Sequence, residues 1–343
     1  MVADKRRWDR RKFLKAMGVV GAGVVVGGTS RTMFDVARLA PDVVGVTRTR
    51  IAMGTFVTIT AVHESRHAAE AAIGATFEEM DRLIAILSRH DSSTPLSVLN
   101  SVGSLQGAPL ELTGVLHGAR EYHDLSGGAF DVTVGPLVDL FAGTSDFSTI
   151  TPLRVDETLA RVDGSKLSID RSRVKLHEPG MAVTLDSIAK GFIADRLSDN
   201  LAGCGVYSHL VNAGGDIRTR GVRANGRAWR IAVQDPDKAG AYPDVIELID
   251  GAVATSGSYE VFYDREKVFH HLVDPRKGQS PRRSAGVSVI STNAVDADAL
   301  STSVFVLGPE RGLELIEALP GRECLVVTRN RRELRTRGWP SAA

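Results

Sequence analysis

The sequence predicts an α+β fold: one domain, from about residue 45 to 338, in which helices pack on a largely antiparallel sheet, preceded by a cleavable signal. Three observations carry this reading. Helical patterns dominate residues 65–202, seven short runs of strand character crowd residues 207–328, and the strict β-α-β alternation of a doubly wound sheet is missing. No internal repeat or second linker divides the 343 residues, which are enough for a sizeable core.

Residues 1–40 have the layout of a twin-arginine export signal and flexible N-terminus. Arg10-Arg11-Lys12-Phe13-Leu14-Lys15 leads into an apolar stretch, Ala16 to Gly28, which falls short of the roughly 20 residues that cross a bilayer. Asp9 stands where Ser or Thr is usual, and Ala37-Arg38-Leu39-Ala40 is a loose small-residue cleavage site. The glycines of this stretch lack the preceding strand and the Gly-x-Gly-x-x-Gly spacing of a dinucleotide loop. The expected location is therefore periplasmic or extracytoplasmic.

The domain opens with Thr55 to Val62, where Val57, Ile59 and Ala61 alternate with Thr58 and Thr60 as in a half-buried strand. Ser65 is placed to cap a helix whose stripe runs Ile73, Phe77, Met80, Ile84 and Leu87, ending near Ser88. Arg89 to Gly107, rich in Ser, Thr, Pro and Asn, reads as loop with a short helical piece. Leu112 to Leu125 is a second helix stopped by Gly127-Gly128, and Ser187 to Ala202 a third stopped by Gly203. Strands follow at Tyr207–Asn212, Asp216–Gly221, Trp229–Gln234, Val245–Ile249, Ala252–Thr255, Gly286–Ser291 and Glu323–Thr328. Helices at about Val295–Val306 and Pro309–Leu319 interrupt them.

Charge narrows the function. Residues 1–40 hold nine Lys/Arg and three Asp/Glu, so the overall +1 leaves about −5 on the remainder, and no basic nucleic-acid surface is implied. Cys204 and Cys324 have no Cys-x-x-Cys spacing, and a domain of this size needs no disulfide.

His63-Glu64-Ser65-Arg66-His67 satisfies His-Glu-x-x-His by letter. Zinc would need both histidines on one helical face, whereas Ser65 as the cap puts a strand-to-helix turn between them. More informative are polar residues at glycine-rich turns. Ala129-Phe130-Asp131 follows Gly127-Gly128, and Thr184-Leu185-Asp186-Ser187 leads into a helix start with Lys190, where unpaired N–H groups suit a phosphate. Asn212-Ala213-Gly214-Gly215-Asp216 is a tight turn that a flat ligand could approach closely. Thr255-Ser256-Gly257 and His270-His271-Leu272-Val273-Asp274-Pro275-Arg276-Lys277 add hydroxyls, imidazoles, a carboxylate and cations. Asp298 and Thr302, four apart on a helix, offer hard oxygen ligands better suited to Mg²⁺ than to zinc.

In family order, Met53-Gly54-Thr55-Phe56, Phe130 to Leu137, Ile188-Ala189-Lys190-Gly191, Asn212 to Asp216, Thr255-Ser256-Gly257, His271 to Pro275 and Ala297-Asp298-Ala299-Leu300 resemble the motifs of the ApbE family of FAD:protein FMN transferases. The resemblance covers nearly the whole chain after the signal. It implies an ApbE-like domain with FAD as substrate and Mg²⁺ as cofactor. It implies further that Met53, Ala129, Phe130, Asp131 and Lys190 lie along FAD, with Thr184, Asp186, Ser256 and His271 completing the pocket. Asp298, Thr302 and a backbone carbonyl near Ser187 would hold Mg²⁺, and His271 and Asp274 would lie near the reacting pyrophosphate. The general base stays open among Asp298, Asp274 and neutral His271.

The resemblance implies an acceptor flavoprotein with a Thr or Ser flavinylation site, and AMP as the product released. Many family members carry Asp-Leu-Gly-Gly-Ile-Ala-Lys-Gly where this chain has Thr184-Leu185-Asp186-Ser187-Ile188-Ala189-Lys190-Gly191, so Thr184 takes the aspartate position and Asp186 a glycine position. Lys277 stands where Thr is common. The Thr-Leu-Asp triplet with an export signal is similar to the NosX branch, which serves nitrous oxide respiration, and that implies a NosR-like or other respiratory membrane flavoprotein as partner. A non-catalytic periplasmic FAD carrier and an FAD pyrophosphatase would use the same parts. Whether flavin stays on a denatured acceptor separates the three.

Overall fold

The computed structural model describes residues 8–9, 33–40, 43–237, 241–265 and 268–340. Arg10 to Lys15 and the apolar stretch Ala16 to Gly28, read above as an export signal, lie outside the described residues. Nine strands form one antiparallel sheet: β1 (Met33–Ala40), β2 (Val43–Ala52), β3 (Thr55–His63), β4 (Ser208–Ala213), β5 (Asp216–Arg220), β6 (Gly251–Gly257), β7 (Ser284–Ser291), β8 (Glu323–Thr328) and β9 (Glu333–Arg335). Their order across the sheet is their order in the chain. Every neighbour is antiparallel, so the sheet is one meander whose connections have been expanded.

The largest expansion, between β3 and β4, holds helices α1 (Arg66–Leu87), α2 (Pro95–Val102), α3 (Leu110–Leu125), α4 (Gly135–Ala142), α5 (Pro152–Leu159) and α6 (Ala189–Gly203). It also holds a small sheet of Ser104–Leu105, Leu167–Asp170 and Arg173–Leu176. Between β7 and β8 run α7 (Ala294–Leu307) and α8 (Pro309–Glu317). Between β5 and β6 a two-stranded ribbon pairs Trp229–Ala232 with Val245–Leu248. No described helix is long and apolar enough to cross a membrane.

The two faces of the sheet are covered differently. Val57, Ile59, Ala61, Val211 and Ala213 pack against α1 and α6 in the main core, and Val287 and Val289 pack against Leu300, Val304 and Phe305 of α7. On the opposite face the ribbon lays Ile231 and Ile246 against Val253, Ile290 and Leu325. Helix α7 is buried along almost its whole length, which explains why its residues show no polar side.

The α+β reading with an antiparallel sheet holds, and Ser65 caps α1 as predicted, accepting from Ala68 N–H at 3.2 Å. Strands β1 and β2 are additions to the predicted elements. β2 escaped the pattern because only Val46 is fully buried along it, while Thr47 and Thr49 bond across to Thr60 and Thr58, each at 2.9 Å. β1 falls in the segment assigned above to the signal and flexible N-terminus. Helices α4 and α5, eight residues each, are too short for a periodic stripe to be read.

Candidate active site

The loop that leads into α6 is clamped from two sides. Asn100 donates from Nδ2 to Val183 O at 2.8 Å and accepts at Oδ1 from Val183 N–H at 2.7 Å. Thr184 N–H donates to Val132 O at 2.8 Å, and Val134 bridges to Ala182. A Cβ on Gly135 would stand 2.7 Å from the Ala182 carbonyl oxygen, so only glycine permits this approach. Ala129, Phe130 and Asp131 are thereby brought beside Thr184, although some 50 residues of chain separate them.

Lys190, in the first turn of α6, forms a close ion pair with Asp216 at the start of β5. Asp298 of α7 lies against the same turn, its Oδ2 accepting from Gly191 N–H at 3.0 Å. A Cβ on Gly191 would be 2.3 Å from Ala294 O and 2.8 Å from Asp298 Cβ, so this glycine sets how closely α6 and α7 meet. Burial opposes the Lys190 ammonium, but the Asp216 and Asp298 carboxylates outweigh it and hold the pKa above the usual lysine value. Asp298 moves the other way. Burial and the nearby Asp216 charge push its carboxyl up to about 7, against the pull of Lys190 and of the Gly191 N–H. Two buried carboxylates therefore share one ammonium.

Hydroxyls line the next turn of α7. Ser256 Oγ of β6 lies 2.7 Å from Ser301 Oγ and 3.1 Å from Thr302 Oγ1. In a regular helix the Gly191 N–H would pair with the Ser187 carbonyl; here it is given to Asp298, and the Ser187 carbonyl is left out of the α6 backbone ladder. Asp298 and Thr302, one turn apart on α7, and the Ser187 carbonyl are hard oxygens of the type Mg²⁺ takes, in a region of surplus negative charge. Among the described residues no group of three His, Cys, Asp or Glu is placed to hold a metal ion. His63 ends β3 and accepts from Ser65 N–H at 2.9 Å, so it does not share a helical face with His67.

The ApbE family profile matches residues 53–326, well over half of the chain. The chain belongs to the ApbE family. It is 31% identical over 310 residues to a FAD:protein FMN transferase of Treponema pallidum, covering 83% of this chain and 85% of that relative. It is 32% identical over 246 residues to one of Vibrio cholerae, covering 69% and 70%. The crystal structure of the ApbE protein of Thermotoga maritima superposes with a TM-score of 0.77 at 27% identity, over 90% of this chain and 97% of that one. The apo flavinyl transferase ApbE of Pseudomonas stutzeri gives 0.74 at 28% identity, over 85% and 95%.

The ApbE residues singled out from sequence do not all fall in one cluster. Lys190, Ser256, Asp298 and Thr302 do, with His271 within electrostatic reach of Lys190 and Ser187 just ahead of α6 in the chain. Burial, helped by the Lys190 cation, pushes the His271 imidazole down to about 4, so the ring is neutral near pH 7. Asp274 is engaged elsewhere: Arg276 holds it through Nε and Nη2 at 2.9 and 3.0 Å, inside a tight turn. Exposed Asp186 lies 3.4 Å from Arg89 Nε, and Thr184 Oγ1 accepts from Asp186 N–H at 3.3 Å.

Asp131 and Phe130 are buried among protein partners. Asp131 accepts from Thr133 N–H (2.8 Å), Thr133 Oγ1 (2.7 Å) and Gly164 N–H (2.8 Å), with His123 Nδ1 at 3.3 Å. Phe130 packs edge-on against Tyr122, with ring centroids 5.9 Å apart. Met53 occupies the β2–β3 turn with φ +52°, a left-handed conformation rare for a side chain of that size, followed by Gly54 at +70°. In sequence Asp216 closes the Asn212–Asp216 turn, and nothing local predicts that Lys190, 26 residues earlier, will meet it.

Proposed function

We propose that this chain is a Mg²⁺-dependent FAD:protein FMN transferase, which attaches FMN through a phosphoester bond to a Thr or Ser of a flavoprotein and releases AMP. The observation that carries it is the Lys190–Asp216–Asp298 cluster, in a chain whose curated relatives bear the name FAD:protein FMN transferase. The acceptor oxygen would bond to the phosphorus on the FMN side of FAD. The bond from that phosphorus to the bridging oxygen breaks, AMP leaves with the electron pair, and the hydroxyl proton passes to a base.

Transfer of this kind rests mainly on positioning and charge. Lys190, fixed as a cation by its two carboxylates, is suited to hold the pyrophosphate. Asp298, Thr302 and the Ser187 carbonyl would hold Mg²⁺, which when bound neutralises phosphate charge and polarises the phosphoryl group. Of the three candidate bases, Asp274 is tied to Arg276 and Asp298 lies among the oxygens for Mg²⁺, which leaves neutral His271 as the base. Its Nδ1 faces Val261 O at 3.4 Å, which leaves Nε2 to accept a proton.

The test is to incubate the domain with FAD, Mg²⁺ and candidate periplasmic flavoprotein domains, a NosR-type domain among them, and to read flavin fluorescence on denatured bands. A fluorescent acceptor band that vanishes with EDTA is expected. Free FMN and AMP without labelled protein would make the chain a pyrophosphatase; bound, uncleaved FAD would make it a carrier. The Arg10-Arg11 motif supports export to the periplasm by the twin-arginine route. Replacing both arginines by lysine should hold the protein in the cytoplasm, and unchanged export would remove that proposal.

A further inference from the structure

A groove of about 360 Å³ lies on the sheet face opposite α6 and α7, between the sheet and the two-stranded ribbon. Thr58, Asn212, Val253 and Thr255 are on its floor. Two of its residues, Gly215 and Thr255, immediately precede Asp216 and Ser256 of the reaction centre in the chain, and a third, Glu260, acts electrostatically on Lys190. Phe56 lines it too and is 65% exposed, a large apolar side chain left to solvent.

The ribbon wall is made of four consecutive residues, Ile231 to Gln234. A strand that showed the groove only side chains would contribute alternate residues, so the main chain itself borders the space. Val233 N–H donates to Asp244 O at 2.9 Å. In the antiparallel register that pairs Ile231 with Ile246 and Ala232 with Val245, the N–H and C=O of Ala232 therefore point away from the Val245–Leu248 strand. Among the described residues no strand pairs with that edge.

We propose that this groove binds the hydroxyl-bearing segment of the acceptor polypeptide in an extended conformation, added as a strand to the Trp229–Ala232 edge with its side chains over the sheet floor. The proposal rests on the transferase reading, in which a polypeptide must reach the phosphorus beside Lys190, and Glu260 of this groove lies within electrostatic reach of that residue. Main-chain pairing supplies affinity without demanding one side-chain sequence, while the sheet floor below selects what sits opposite it.

The test compares the wild type with Ala232→Pro, which removes the outward N–H that an added strand would pair with, and Phe56→Glu, which changes an exposed side chain and leaves the core intact. FAD affinity and transfer to an acceptor domain that the wild type labels are measured at varied acceptor concentration. The expected result is an acceptor KM raised about tenfold or more in each variant, a loss of about 1.4 kcal/mol, with FAD affinity within twofold and kcat preserved at saturation. An unchanged acceptor KM overturns the groove proposal and leaves the transferase reading standing. Loss of FAD affinity in both variants assigns the groove to the nucleotide and also overturns it. A wild type that labels no acceptor domain overturns both readings.

Discussion

Asp131 and Asp298 are both buried carboxylates in loops or helix starts rich in glycine, yet their surroundings drive them in opposite directions. Asp131 pays for burial with hydrogen bonds from Thr133 and the Gly164 N–H and with the His123 ring alongside, and its carboxyl is held below the usual range. Asp298 receives one N–H, faces Asp216, and is pushed up to about 7. A satisfied buried carboxylate fixes a fold, because every partner is a piece of the chain it staples. One left short of partners and beside a like charge is held there at a cost that the packing around it must offset.

The comparison predicts a separation of effects, largest first. Asp298→Asn keeps the size of the side chain and an acceptor for Gly191 N–H but removes the charge, so transfer should fall by about 10³-fold or more, in line with loss of a charge-stabilising group. Its melting temperature should stay at or above that of the wild type. Near-normal flavinylation at saturating Mg²⁺ would show that Asp298 is no more functional than Asp131.

Gly191→Ala tests the same junction by shape. Its Cβ would meet Ala294 O at 2.3 Å, so α6 and α7 must part, with a stability loss of about 1–3 kcal/mol and reduced transfer. A denaturant midpoint equal to that of the wild type would mean the helices are not in the contact described. Asp131→Ala should show the complementary pattern. It leaves the Thr133 and Gly164 N–H groups without their acceptor, which costs about 1–3 kcal/mol for each buried donor left unmade, while the turnover of the molecules that remain folded changes little. If stability holds and FAD affinity collapses instead, Asp131 belongs to the ligand, as the family resemblance implies, and the contrast with Asp298 fails.

The smallest effect at neutral pH comes from His209, buried with Nδ1 on Val206 O at 2.8 Å and Nε2 on Ser198 Oγ at 2.7 Å. Burial pushes its imidazole down to about 4. An unfolded chain takes up this proton near pH 6.5. Between 6.5 and 4 the unfolded state therefore binds more protons and stability falls as pH falls; above 6.5 the group contributes nothing to the pH dependence. The loss reaches about 3 kcal/mol by pH 4 for His209 alone, and His270 and His271, pushed down likewise, add to it. His209→Asn should flatten the slope of unfolding free energy against pH in this window. An unaltered slope would mean that the acid sensitivity arises elsewhere.

Local pattern made much of this molecule legible. The Ser65 cap, the stripe of α1 and the alternation of β3 needed only their own residues, because capping and amphipathic burial are decided within a few turns of chain. The ordered motifs of residues 53–326 likewise carried the family. Missing were β2, whose solvent-side threonines bond to the next strand, and the short α4 and α5. In the site, Lys190, Asp298 and Thr302 were legible by residue type and spacing, whereas the bidentate grip of Arg276 on Asp274 was not, since which side chains pair cannot be read from composition.

By itself the sequence determined the α+β class, the elements with strong periodicity, and the residue types able to bind phosphate and a hard cation. Tertiary structure alone decided which of those residues meet. Lys190 finds Asp216 across 26 residues, and Gly191 finds Asp298 across 107. Such pairs form only after the expanded meander has closed and α6 has docked on α7. The charge imbalance that defines the site belongs to that docking, because Coulomb interactions and burial depend on distance in space and not on separation along the chain.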